Sequence, residues 1–98
     1  MTDRAAAEAG HSFRLAEDIG LAWQSWEGEI IVFNEASGDT HRLDLVASAT
    51  FEALLEMPGN ADHLTRRVAE DLGTEPSAEL SAAVLAALGT FRQLGLLA

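Results

Sequence analysis

The sequence lacks cysteine and lysine, and it has no long apolar run. Without cysteine, the 98-residue chain can form neither disulfides nor thiolate zinc sites. Its six basic residues are all arginine and face 16 acidic residues, so the formal charge is −10. Phosphate backbones and anionic lipids repel such a chain, which argues against nucleic-acid and membrane partners. No apolar run approaches the ~20 residues of a membrane span, and the N-terminus has no apolar signal region. We therefore expect a soluble cytoplasmic protein.

What the sequence does contain is enough apolar material for one small core. Hydrophobic residues make up 48% of the chain, which argues against disorder for most of it. The length fits one domain. Residues 1–12 lack periodicity and predict a flexible N-terminal tail, so we assign the domain to residues 13–98.

The first half of that domain has the pattern of β-strands. Strands are predicted at residues 21–26, 29–33 and 40–43, with a weaker one at 13–15. Residues 30–33 are apolar on both faces of the middle strand, which predicts neighbours on both sides and cover above and below. Trp23 and Trp26 face opposite ways on a straight strand, so one could be buried and the other exposed. For either one taken alone, a core position is the expectation.

The second half has the pattern of three helices. Asp44 is the expected N-cap of a helix over residues 45–57, with an apolar face of Ala47, Phe51, Leu54 and Leu55. Asn60 is the expected cap of a second helix, and Gly73 the left-handed stop that ends it. A third helix is predicted over residues 77–94. Strands followed by helices predict an α+β fold with a three-stranded antiparallel β-meander and three α-helices.

The segment VFNEASGDTHRLD, residues 32–44, places Ser37, Asp39 and His41 close together. An Asp–His pair two residues apart on a strand could act as base and orienter, but its local nucleophile Ser37 lies in a turn. The three histidines, His11, His41 and His63, show no metal-ligand spacing. A hairpin loop over residues 34–39, with Gly38 at positive φ, accounts for the whole segment. We expect no catalytic residue, no metal and no cofactor.

Two features indicate binding instead. The strand at residues 40–43 ends the meander, and an edge strand presents unpaired amides and carbonyls to a partner strand. Gly89 lies in mid-helix at a cost of about 1 kcal/mol relative to alanine, on a flank with Leu85 and Arg92. This glycine permits close backbone approach, either of another element of the domain or of a ligand in a groove.

The run WQSWEGEIIVFNEASGDTHRLD, followed by an apolar helix and an LGLL ending, resembles the PqqD-like peptide chaperones. More narrowly, it looks like the type found in gene systems built around an HPr-kinase-related protein. The paired Trp23 and Trp26, the strand at 30–33, the motif at 37–41 and Leu43 carry this resemblance. It covers residues 23–44 sharply and the helices loosely, and it does not extend to the pyrroloquinoline quinone pathway member itself.

The resemblance implies a winged-helix-like domain that is not an enzyme. Its relatives bind the leader of a ribosomally made precursor peptide and present it to a modifying enzyme, for which an HPr-kinase-related protein is one candidate. The leader adds as a strand beside the third strand and lies against the third helix. The peptide-binding residues so implied are Thr40, His41, Arg42, Leu43 and Asp44, with Leu85, Leu88, Gly89 and Arg92 opposite.

Two other interpretations remain open from sequence. Helices at about 61–72 and 77–94 resemble a DNA-binding helix-turn-helix, with Arg66 and Arg67 near phosphate, although the start SAELSAAVLAALG offers base edges little. A dimerisation or structural module could use the same exposed edge. We expect a monomer or a weak dimer.

Overall fold

The computed structural model describes residues 11–16, 21–27, 29–34 and 38–98. In this part of the chain, most strands come before the helices. In chain order they are β1 (Ser12–Phe13), β2 (Leu21–Trp26), β3 (Glu29–Asn34), β4 (Thr40–Leu43), α1 (Leu45–Glu56), β5 (Gly59–Asn60), α2 (Ala61–Leu72) and α3 (Ala78–Gln93).

Strands β2, β3 and β4 form an antiparallel meander with β3 in the centre. Its register places Val32 between Trp23 and His41, and Ile30 between Ser25 and Leu43. The predicted α+β fold, with its meander and three helices, is confirmed. The predicted positions of β3 at the centre and β4 at an edge are confirmed as well.

The helices cover one face of this sheet. Ile30, Val32 and Leu43 share that inner face and are buried in one cluster with residues of all three helices. On the outer face, Phe33 is 40% exposed and Trp26 is 61% exposed. The prediction that both faces of β3 are covered is therefore wrong for the described residues. Apolar character on both faces of a strand marks buried strands in general, but here the described part of the chain leaves the outer face open.

Local signals set the helix ends. The Asp44 carboxylate accepts a 2.8 Å hydrogen bond from the Ala47 amide, and the Asn60 side chain accepts one of 2.8 Å from the His63 amide. Gly73 takes the left-handed conformation with φ of 69°. All three predicted end signals are confirmed.

One residue of the predicted apolar face of α1 is exposed. Phe51 and Leu54 are buried, but Leu55 is exposed. Leu55 lies next to Glu56, the last residue of α1, and residues 56–58 are exposed as well, so this end of the helix extends beyond the packed core. The assignment of Leu55 to the buried face is wrong.

The structure contains a second, very short sheet that was not predicted from the sequence. Strand β1 pairs with β5 in the link between α1 and α2, through Ser12 with Asn60 and Phe13 with Gly59. Of the predicted tail at 1–12, residues 1–10 lie outside the described residues, whereas Ser12 belongs to this sheet. Within the described part of the chain, no helix is long and apolar enough to cross a membrane.

Candidate functional site: the open edge of the sheet

Strand β4 turns its side chains alternately to the two faces of the sheet. His41 and Leu43 lie on the inner face, opposite the buried Val32 and Ile30. Leu43 is itself buried and His41 is half-buried. Thr40 and Arg42 lie on the outer face and are exposed. The five predicted strand-side residues are thus split: Leu43 belongs to the core, and the rest reach solvent at least in part.

The contacts of a buried hydroxyl show which backbone N–H and C=O groups of β4 point toward β3 and which point away from it. The Ser48 hydroxyl accepts a 2.9 Å hydrogen bond from the Ile30 amide and donates one of 3.1 Å to the Leu43 carbonyl. It therefore stands between two paired residues whose backbone groups point at each other. In an antiparallel ladder, successive residues of a strand turn their backbone groups to opposite sides. It follows that His41 and Leu43 face β3, whereas Thr40 and Arg42 turn N–H and C=O outward.

The same contacts hold β4 rigidly to the helical layer. Asp44 ends the strand and caps α1 directly, so no loop separates the two elements. Ser48, on the first turns of α1, then joins that helix to both β3 and β4. The edge is therefore presented on a fixed support, and little ordering of the strand is needed for a partner strand to pair with it.

The Arg42 side chain is held down on the outer face. Its guanidinium donates two hydrogen bonds to the Glu29 carboxylate, of which the one from Nη2 to Oε1 is 3.0 Å long. Glu29 lies diagonally across the ladder from Arg42, a separation that long side chains can bridge. This hydrogen bonding, together with the charge of Glu29, raises the pKa of Arg42 above its usual value. Arg42 therefore stays charged, and its charge is balanced locally.

Of the four predicted helix-side residues, three are exposed and one is buried. Leu88 is 2% exposed and belongs to the core, while Leu85 is 40% exposed. Arg92 is exposed and stacks over the Phe13 ring, 5.8 Å from its centroid. Between β4 and α3, the described residues show no hydrogen bond, ion pair or ring contact. Whether a ligand bridges the two elements stays a prediction.

Gly89 is exposed, and a Cβ built there would meet no atom within 4 Å. One of the two explanations for this glycine, packing against another element of the domain, is wrong for the described residues. The other, space kept for a ligand, is left standing.

Sequence reasoning missed a second open edge. Strand β2 is the other outer strand of the sheet. Trp23 lies on its inner face, 44% exposed, with its ring edge-to-face on Phe51 at 5.7 Å. The expected core position is wrong for both Trp23 and Trp26, although their opposite directions are confirmed. A three-stranded meander always has two edges, so a count of strands would have found this one.

The role of Ser48 was also not predicted from the sequence. The pattern that could have indicated it is a small polar residue between the apolar Ala47 and Ala49 on a predicted helix. All three side chains are buried. A buried hydroxyl needs a partner, and here the partners are the backbone groups that end the β3–β4 ladder.

The competing sites gain no support. Ser37 lies outside the described residues, and the described residues contain no cluster of three or more His, Asp or Glu side chains that could hold a metal. Arg67, proposed for phosphate contact, forms an ion pair with Glu56. It lines a cavity of about 300 Å³ together with Glu52, Glu70 and Asp71, which disfavours a nucleic-acid surface there.

No protein-family model matches the chain, and no curated protein matches it. Among solved structures, the chain is similar to TbiB1, determined in complex with the TbiA(beta) leader peptide. The TM-score is 0.69 at 13% identity, over 86% of this chain and 93% of that one. At this identity the similarity shows the fold, and this fold agrees with the one that resemblance to the PqqD-like peptide chaperones implied.

Proposed function

We propose that the protein is a non-catalytic peptide chaperone. It binds the leader of a ribosomally made precursor peptide as a strand added to β4 and presents it to a modifying enzyme. The observation that carries this proposal is the outward N–H and C=O of Thr40 and Arg42, on a strand fixed to α1 through Ser48. The fold shared with a leader-peptide complex supports it.

Strand addition draws on two kinds of contact. Backbone hydrogen bonds give affinity without regard to sequence, and alternate side chains give specificity. Thr40 and Arg42 would supply the backbone pairs. His41 and Asp44 would meet side chains of the peptide, and Leu43 and Leu88 would support the strand and the helix from the core. Leu85, Gly89 and Arg92 on α3 would line the other wall.

The partners follow from this role. The peptide is handed to a peptide-modifying enzyme, for which an HPr-kinase-related protein remains one candidate. The proposal places the protein in the cytoplasm as a monomer or weak dimer, and it involves neither nucleic acid nor a metal. The proposed binding domain comprises residues 13–98, together with Ser12, which pairs with Asn60.

The test is an amide NMR titration of the labelled full chain with leader peptides encoded beside its gene. We expect the largest shifts over residues 40–44 and 85–92. The substitution Arg42→Pro removes an outward amide and should weaken binding at least about tenfold while the fold is kept. Arg42→Ala separates the loss of the amide from the loss of the side chain.

The matched control is Ser25→Pro on the other edge. Ser25 pairs with Ile30, so alternation turns its amide outward as well. Binding should survive this change within about twofold, well under the tenfold step that 1.4 kcal/mol represents. If Ser25→Pro abolishes binding and Arg42→Pro does not, the peptide binds β2 and the proposed site is wrong.

The helix wall is tested separately with Leu85→Glu. A carboxylate at this exposed position should weaken peptide binding without unfolding α3. Thr90→Glu places the same charge at another exposed position of the helix and serves as control. Equal affinities for the two folded variants would remove Leu85 from the site.

A dimerisation module is the alternative use of the same edge. Under that hypothesis, sedimentation would show a dimer that Arg42→Pro converts to monomer, and no leader peptide would shift the amides of β4.

A further inference from the structure

The outer face of the sheet carries an apolar surface next to the open edge. Trp26 is 61% exposed and Phe33 is 40% exposed, and Ile31 lies on the same face. A pocket of about 210 Å³ opens there and is lined by Trp26, Glu29, Ile31 and Arg42. We call this the outer pocket. One of its walls, Arg42, belongs to the edge strand itself.

The electrostatics of the outer pocket favour an uncharged occupant. The Arg42 guanidinium is already paired with the Glu29 carboxylate through two hydrogen bonds. An acidic side chain would have to displace Glu29, and a basic one would meet the guanidinium. The flat guanidinium and the indole of Trp26 both suit the face of an aromatic ring.

The backbone polarity of β4 determines which peptide residue reaches this pocket. Because Arg42 turns its N–H and C=O outward, a partner strand exchanges hydrogen bonds with Arg42 directly. Residues paired across a ladder point to the same face of the sheet. The side chain opposite Arg42 therefore lies on the outer face, beside the guanidinium, whereas the one opposite His41 points to the helices.

We propose that the outer pocket is a specificity subsite for an added peptide strand, and that it accepts the aromatic side chain of the residue that pairs with Arg42. This inference rests on the proposed function, because it requires a strand at β4. It adds a recognition element on the face of the sheet opposite the helices, so the peptide is read from both sides.

The test starts from a displayed library of random 12-residue peptides selected on the full chain. Enriched peptides are synthesised, and their affinities are measured by calorimetry for the wild type and for Trp26→Ala, with Gln24→Ala as control. Gln24 is exposed on the same outer face but does not line the pocket. We expect an enriched aromatic residue, and Trp26→Ala should weaken binding about tenfold while Gln24→Ala does not.

A double-mutant cycle identifies the contact. Replacing the aromatic residue of the peptide by alanine should lower affinity for the wild type, and Trp26→Ala should then have little additional effect. Independent, additive losses would overturn the subsite.

Failure of the subsite and failure of the proposed function give different results. Thr40→Pro blocks an outward amide of β4 outside the pocket. Peptides that are sensitive to Thr40→Pro but indifferent to Trp26→Ala would overturn the subsite and leave strand addition standing. If the library yields no binder, or only peptides indifferent to Thr40→Pro, both the proposed function and the subsite are wrong.

Discussion

The two outer strands of the sheet differ in how they are attached to the rest of the domain. Strand β2 has six residues and two exposed tryptophans, and its described link to the helices is the ring contact of Trp23 with Phe51. Strand β4 has four residues, but it runs directly into α1 and is joined to that helix by Asp44 and Ser48. Length and aromatic content alone would have favoured β2 as the edge to which a partner strand adds. Attachment favours β4, because a fixed edge loses less conformational freedom when a partner pairs with it.

Removing the Ser48 hydroxyl is the strongest test of the attachment of β4 to the helices. Ser48→Ala leaves the Ile30 amide and the Leu43 carbonyl buried without their partner, at about 1–3 kcal/mol for each group. We expect a loss of at least ~2 kcal/mol in the free energy of unfolding, measured by urea denaturation.

Thr50→Val is the matched control for Ser48→Ala. Thr50 is also buried on α1, but its hydroxyl donates to the Val46 carbonyl of its own helix. Its removal leaves no buried strand group without a partner, so the cost should stay below about 1 kcal/mol. If Ser48→Ala also costs less than about 1 kcal/mol, the two hydrogen bonds of the Ser48 hydroxyl contribute little to stability.

The assigned backbone directions on β4 predict that proline substitutions at two neighbouring positions differ in their cost to the free energy of unfolding. His41→Pro removes an amide that faces β3 and should cost about 1–3 kcal/mol. Arg42→Pro removes an outward amide and should cost less, since proline is tolerated where the amide faces solvent. Circular dichroism during urea denaturation measures both variants, and a reversed order would invert the assigned polarity of the edge.

The tryptophans of β2 give a smaller contrast. Trp23 packs edge-to-face on Phe51, an arrangement worth about 0.5–1.5 kcal/mol beyond its buried area. Trp26 lies on the open outer face. Trp23→Ala should therefore destabilise the domain more than Trp26→Ala by about 1 kcal/mol in thermal or urea unfolding. Equal effects would mean that the ring contact does not anchor β2.

The smallest expected effect is a gain in stability at Gly89. Because a Cβ there meets nothing within 4 Å, Gly89→Ala should stabilise α3 by about 0.5–1 kcal/mol. In the same variant, peptide affinity should fall if the ligand backbone approaches this position closely. A gain in stability with unchanged affinity would leave Gly89 without a role in binding.

What could be predicted from the sequence depended on the range of the interaction. Asp44, Asn60 and Gly73 act on their own helix ends, and their roles were predicted correctly from local pattern. The sheet order followed from short connections. The exposure of Trp23 and Leu55 depends on where the helical layer ends, and that of Trp26 depends on which face of the sheet the helices cover. No local pattern contains either.

The candidate site was predicted in part for the same reason. Strand β4 was identified as an edge because it is the last strand of a meander. The direction of each of its amides required the contact of Ser48 with Ile30, residues 18 positions apart in sequence. The Arg42–Glu29 pair, which closes one side of the outer pocket, spans 13 positions and was missed as well.

The number of outward residues on β4 limits how long a peptide added to this edge would stay bound. Two outward residues offer at most four backbone hydrogen bonds, each worth about 0.5–1.5 kcal/mol net. Together they contribute at most about 6 kcal/mol, which corresponds to dissociation constants of tens of micromolar or weaker. With association rate constants of about 10⁵–10⁷ M⁻¹s⁻¹, a complex with a dissociation constant of about 40 μM lasts from about 3 ms to 0.3 s. A peptide held mainly by its backbone would thus be released soon enough to pass to the next protein without any active step of ejection.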